Sequence, residues 1–109
     1  MPNIKFLSPP VPLPINTVTA NTYTIAITDQ QNGILCSNTT NIVVTIANNA
    51  TVAMPLYATI PMREGNTGVV IITAGTGVTL LSPNGANTSG SAGDARVAEQ
   101  IAIDTWMIW

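Results

Sequence analysis

The chain has 109 residues, enough for one domain with a single modest core that needs no disulfide or metal staples. Only 7% of the residues are charged, against roughly 25% in an ordinary soluble domain, and the formal net charge is -2. Lys5, Arg63 and Arg96 are the only cations and stand far apart, so no basic stripe exists to neutralise phosphates and nucleic acid is not an expected partner.

Two accounts of the low charge stay open: Asn, Thr and Ser solvate the surface, or much of the surface is buried against other chains. The chain lacks histidine, the commonest general base and metal ligand, so no enzyme, cofactor or metal is expected. Cys36 has no partner for an internal disulfide and reads as a small buried thiol beside Ile34-Leu35. No apolar run is long enough to span a bilayer, and neither secretion nor membrane insertion is expected.

Residues 1–15 read as an arm, MPNIKFLSPPVPLPI, in which Pro9, Pro10, Pro12 and Pro14 forbid helix and favour an extended polyproline-like path. Phe6, Leu7, Val11, Leu13 and Ile15 make it too apolar for a solvated linker. With Pro9 and Pro10 they form the candidate interface of the arm, laid along its own domain or a neighbour's. Residues 16–109 are then the folded domain.

In that domain, short β-branched runs alternate with turn residues. Residues 23–28 alternate apolar and hydroxyl side chains and are expected as a half-buried strand, followed by the hairpin dipeptide Asn32-Gly33 and a second strand at 34–37. After Asn38-Thr39-Thr40, residues 41–46 read as a third strand. Pro55 then bends the chain before it resumes at 58–60. Arg63-Glu64-Gly65-Asn66 reads as a charged hairpin tip, solvated in the plain reading, with Arg63 and Glu64 as possible interface residues.

The runs at 69–73 and 78–81, separated by Ala74-Gly75-Thr76-Gly77, predict a central hairpin whose first strand is covered on both faces. Residues 82–93 read as an exposed loop. Residues 96–103 are expected as a strand, with a helical turn or two as the alternative because Ala, Glu and Gln favour helix. A turn at Asp104-Thr105 leads into a last strand, 106–109, with Trp106 and Trp109 expected on one face. Trp109 is a further candidate interface anchor. Asp94, Glu99 and Asp104 are explained by turn and solvent roles, and Gly75-Thr76-Gly77 precedes a strand, so it lacks the helix start of a phosphate cradle.

The order of these features resembles a small β module of tailed-bacteriophage virion proteins, notably tail-fibre and other structural proteins. The resemblance rests on Tyr23-Thr24-Ile25-Ala26-Ile27-Thr28-Asp29, Asn41-Ile42-Val43-Val44-Thr45-Ile46 and Val52-Ala53-Met54-Pro55. Gly68 with Val69 to Thr73, Ala74-Gly75-Thr76-Gly77-Val78-Thr79-Leu80, Ser82-Pro83-Asn84-Gly85 and Asp104-Thr105-Trp106 complete it. It departs from such modules at Leu56-Tyr57-Ala58, where they tend to carry a glycine after the proline bend, and in forming nearly the whole chain rather than part of a longer one.

The resemblance implies an all-β fold, expected as a small antiparallel β-sandwich or barrel with an extended N-terminal arm. It further implies a virion structural protein, most readily a capsid decoration (cement) protein: a homotrimer whose partners are the major capsid protein or other virion proteins. The alternative is a tail fibre, spike or adaptor component using loops 63–66 or 84–93. A carbohydrate-binding module, the third reading, needs exposed aromatics among Tyr23, Tyr57, Trp106 and Trp109.

Overall fold

A computed structural model describes residues 15–30, 32–82 and 94–109. The arm expected over residues 1–15 lies outside the described residues except for Ile15, and so does the loop expected over 82–93 except for Ser82. The strands described are β1 (Asn16–Val18), β2 (Thr22–Thr24), β3 (Ile34–Cys36), β4 (Ile42–Ile46), β5 (Thr59–Glu64), β6 (Val70–Ala74), β7 (Thr79–Leu81), β8 (Ala95–Ala102) and β9 (Thr105–Ile108). Apart from a 3-10 turn at Ile27–Asp29, no helix interrupts the described residues, and the fold is all-β.

The strands form a six-stranded sheet, β1-β3-β5-β8-β9-β7, and a three-stranded sheet, β2-β4-β6. From β1 to β6 the chain alternates between the sheets, and each new strand lies parallel to the one laid down two strands earlier. Parallel neighbours cannot be joined by a tight turn; here the crossover each pair requires runs through the other sheet.

The expected antiparallel arrangement is therefore corrected. Among the described strands, only β5–β8 and β8–β9 pair antiparallel. The strand expected over 23–28 stops at Thr24, and Asn32-Gly33, with Gly33 at φ +93°, leads out of the 3-10 turn into β3 without pairing β2 to β3. The central hairpin fails for the same reason. β6 belongs to the small sheet while β7 pairs with β9 in the large one, so residues 75–77 turn a corner between sheets.

Alternation of side chains within each strand builds the core between the sheets. Val18, Cys36 and Glu64 stand in one row of the large sheet, with Ile34 and Met62 in the next. Tyr23, Val44 and Ile72 form a row of the small sheet, and Ala98, Trp106 and Ile108 join the same buried cluster from the far strands. One outward row of the small sheet is Thr24, Thr45 and Thr73, with the last two hydroxyls 3.3 Å apart, β-branched side chains suited to a pleated surface. In β6, Val70 and Ile72 are buried but Ile71 and Thr73 only half-buried, so the expected two-sided cover is met on one face.

Asparagines hold the corners. Asn38 donates to the Thr19 carbonyl at 2.7 Å and accepts from Thr40 N–H at 2.9 Å, while Asn21 donates to the Asn41 carbonyl at 3.2 Å. Gly68 fits here because a Cβ would lie 2.0 Å from the Thr40 carbonyl oxygen.

The strand expected near 96–103 is β8, and the turn before β9 includes Asp104 at φ 58°. Trp106 is buried and Trp109 is 50% exposed. They do not share a face, because residues three apart in a period-two strand point to opposite sides.

Candidate functional site

The buried polar side chains Asp29, Glu64 and Gln100 each bond to neighbouring backbone and serve the fold. Asp29 is buried where the 3-10 turn meets β2. Its Oδ2 accepts from the Tyr23 hydroxyl at 2.6 Å and from Ala26 N–H at 2.8 Å. Burial, and then the Asp29 hydrogen bond and charge, push the Tyr23 hydroxyl up to about 12. Its phenol stays a neutral donor to the carboxylate.

Glu64 is not at a solvated hairpin tip. It ends β5 with its side chain fully buried beside Cys36, its Oε1 accepting from Asn66 N–H at 2.8 Å and its Oε2 without a hydrogen-bond partner. Burial, with a contribution from the Glu64 charge, pushes the Cys36 thiol up to about 11. A thiol so placed is packing. Among the described residues no group of three or more His, Cys, Asp or Glu side chains could hold a metal ion, and no helix is long and apolar enough to cross a membrane.

Exposed apolar side chains gather instead in two places. The first is the bend between β4 and β5. Pro55 and the Ala58 N–H, which donates to the Pro55 carbonyl at 3.1 Å, close a turn in which Tyr57 takes φ 66°, a left-handed backbone that a bulky side chain rarely adopts. Tyr57 thus holds a conformation more usual for glycine, two residues after Pro55.

Gln100 holds that bend. This buried glutamine donates through Nε2 to the carbonyls of Met54 (2.9 Å) and Pro55 (3.2 Å), and its backbone carbonyl accepts from Tyr57 N–H at 2.8 Å. Its Oε1 accepts from Asp104 N–H at 3.1 Å, which ties the β8–β9 turn to the same residue. Asp104 in turn accepts from Asn49 N–H at 2.6 Å, a linking role beyond the turn position expected of it. The outcome is a braced end of the molecule displaying Leu56 (45% exposed), Tyr57 (65%) and Ile103 (58%).

The second place is the outer face of the large sheet, where Ile15, Gly33, Leu35, Pro61, Arg63 and Val97 line a groove of about 380 Å3. Pro61 stands opposite Val97, and Val97 and Trp109 exchange backbone hydrogen bonds of 2.7 and 3.0 Å. Gly33 has no side chain to fill the middle, and a Cβ there would come within 3.3 Å of the Pro61 carbonyl oxygen.

The candidate interface residues thus divide. Ile15 and Arg63 line the groove and Trp109 pairs with one of its walls. Glu64, behind them, is closed to partners by its burial. Phe6, Leu7, Pro9, Pro10, Val11 and Leu13 lie outside the described residues. Sequence reasoning missed Leu56 and Ile103 as surface features and Gln100 as their brace. The signal for the bend was Pro55, which cannot donate to a ladder. The chain matches no known protein family, no characterised protein and no solved structure.

Proposed function

We propose that this chain is a bacteriophage virion structural protein, most specifically a capsid decoration protein that binds the outer shell and stabilises it as a homotrimer. The observation that carries the reading is the strained, exposed Tyr57. A left-handed backbone at a bulky residue costs about 1–2 kcal/mol, and a ring left in solvent returns nothing to the core. Such a ring is suited to a partner's surface, where aromatic anchors contribute most. Leu56, Ile103 and Trp109 add apolar area to a chain with only 7% charged residues, a surface built for contact with other chains.

In this reading the two sheets form a small sandwich, with the arm supplying further apolar contacts to the shell or to neighbouring subunits. Area shared between capsid subunits raises the cost of separating them, because anything that binds the assembled state stabilises it. The second reading, a tail fibre, spike or adaptor component, is favoured by the tail-fibre character of the module that the sequence resembles.

Immunogold electron microscopy of intact particles tests both. Label over the head supports decoration, and label confined to the tail replaces it with the second reading. Particles without label remove both readings. Sedimentation equilibrium of the purified chain tests the trimer, which a monomer at micromolar concentration would exclude.

A further inference from the structure

The groove on the outer face of the large sheet has a specific shape. Asn16 pairs with Ile34, which brings Ile15 beside Gly33; Gly33 adjoins Pro61, Pro61 faces Val97, and Val97 pairs with Trp109. These residues make one apolar stripe running across β1, β3, β5, β8 and the end of β9, with its hollow at the glycine. Five adjacent strands at about 4.8 Å spacing make a stripe roughly 19 Å long. Six residues of polyproline helix at about 3.1 Å each also cover roughly 19 Å.

We propose that this groove is the seat of the chain's own proline-rich segment, residues 9–14 (PPVPLP), laid across the strands in polyproline form and turning into β1 at Ile15. The segment adjoins the groove by covalent connection, since Ile15 is both the residue that follows it and a wall of the hollow. Its chemistry selects the face over the open edge of β1. Three of its four prolines would have to sit in or beside a ladder to which proline cannot donate, whereas an apolar groove asks for no such bond. The tether also raises its effective concentration at the groove to the millimolar range, on the order of what a short linker provides, ahead of any second copy at ordinary concentration. Seated in this way, the segment covers the stripe and leaves Phe6 and Leu7 beyond its far end, free for another chain. The inference concerns the chain by itself and does not rest on the virion reading.

A nitroxide attached through Ser8→Cys, one residue before the segment, tests it in the full-length protein; Cys36, fully buried, is shielded from the label. In isotope-enriched protein the amide signals of Val97 and Trp109 should be lost to paramagnetic broadening while those of Val43 and Ile71, on the small sheet, survive. Adding Val97→Glu should restore the lost signals with the circular dichroism spectrum unchanged. Signals that are never lost, or a loss that persists in the Val97→Glu protein with its fold intact, would overturn the proposal. A co-refolded mixture of labelled, unenriched chains with enriched, unlabelled chains should show no loss; loss there would give the groove to a second copy's arm instead.

Discussion

The parallel stack of β1 to β6 and the antiparallel pair β8–β9 reach burial by different means. In the stack, like stands over like: Val18 over Cys36, Ile34 over Met62, Val44 over Ile72, with asparagines repeating at the corners. The pair has no such repetition and depends on individual residues, Trp106 filling the core and Gln100 bracing two loops. Two buried polar side chains, Glu64 at the end of β5 and Gln100 in β8, make the same point. Gln100 has every polar atom of its side chain engaged, while Glu64 has one oxygen engaged and one not. Repetition spreads a defect over many contacts, whereas a single brace concentrates it.

The sharpest way to break this contrast is Trp106→Ala, which should destabilise the protein by about 3–5 kcal/mol in urea unfolding, the usual range for removing a buried aromatic ring. If the two regions form one cooperative unit, the same variant exposes Cys36 to thiol reagents along with the loss of fluorescence-detected structure; protection of Cys36 after the pair has melted would make them separate units.

Next in size is the comparison of the two polar residues. Gln100→Leu strands the carbonyls of Met54 and Pro55 and the Asp104 N–H, and should cost about 1–3 kcal/mol. Glu64→Leu gives up one hydrogen bond and a buried charge that is half-partnered, and should change stability by less than about 1 kcal/mol. Equal losses in thermal unfolding would erase the distinction.

Tyr57→Gly should raise stability by about 0.5 kcal/mol, the relief of the left-handed backbone outweighing the extra freedom of an unfolded glycine. On the decoration reading, the same substitution should weaken shell binding in a particle-sedimentation assay. A protein that loses stability without losing binding would show that the ring serves the fold.

The alkaline limb is silent at neutral pH. The fold favours the neutral thiol of Cys36 and the neutral phenol of Tyr23, whose values rise from 9.0 to about 11 and from 10.0 to about 12. Their contribution is complete below pH 9, declines from pH 9 to 11 as the unfolded chain's thiol ionises ahead of the folded one, and declines further to pH 12 through Tyr23. Cys36→Val should move the onset of the fall in urea midpoint from about pH 9 to about pH 10.

Local chemistry in the sequence determined the all-β class, the places where the chain turns, a strand near 96–103, the bend at Pro55 and the burial of Cys36. β-branched runs, asparagine–glycine clusters and a lone thiol among apolar residues act within a few positions of themselves. Pairing was decided only in three dimensions. A period-two pattern is the same whether the neighbour runs parallel or antiparallel, so Asn32-Gly33 and Gly75-Thr76-Gly77 looked like hairpin turns yet serve at transitions between sheets. Glu64 was read as solvated because a charge near glycine and asparagine usually is; its burial follows from falling on the inward phase of β5, which depends on the register with β3 and β8. The end patch follows the same rule. Tyr57 takes a glycine's backbone because Gln100, far along the chain, holds the carbonyls around it, and no local propensity carries that information.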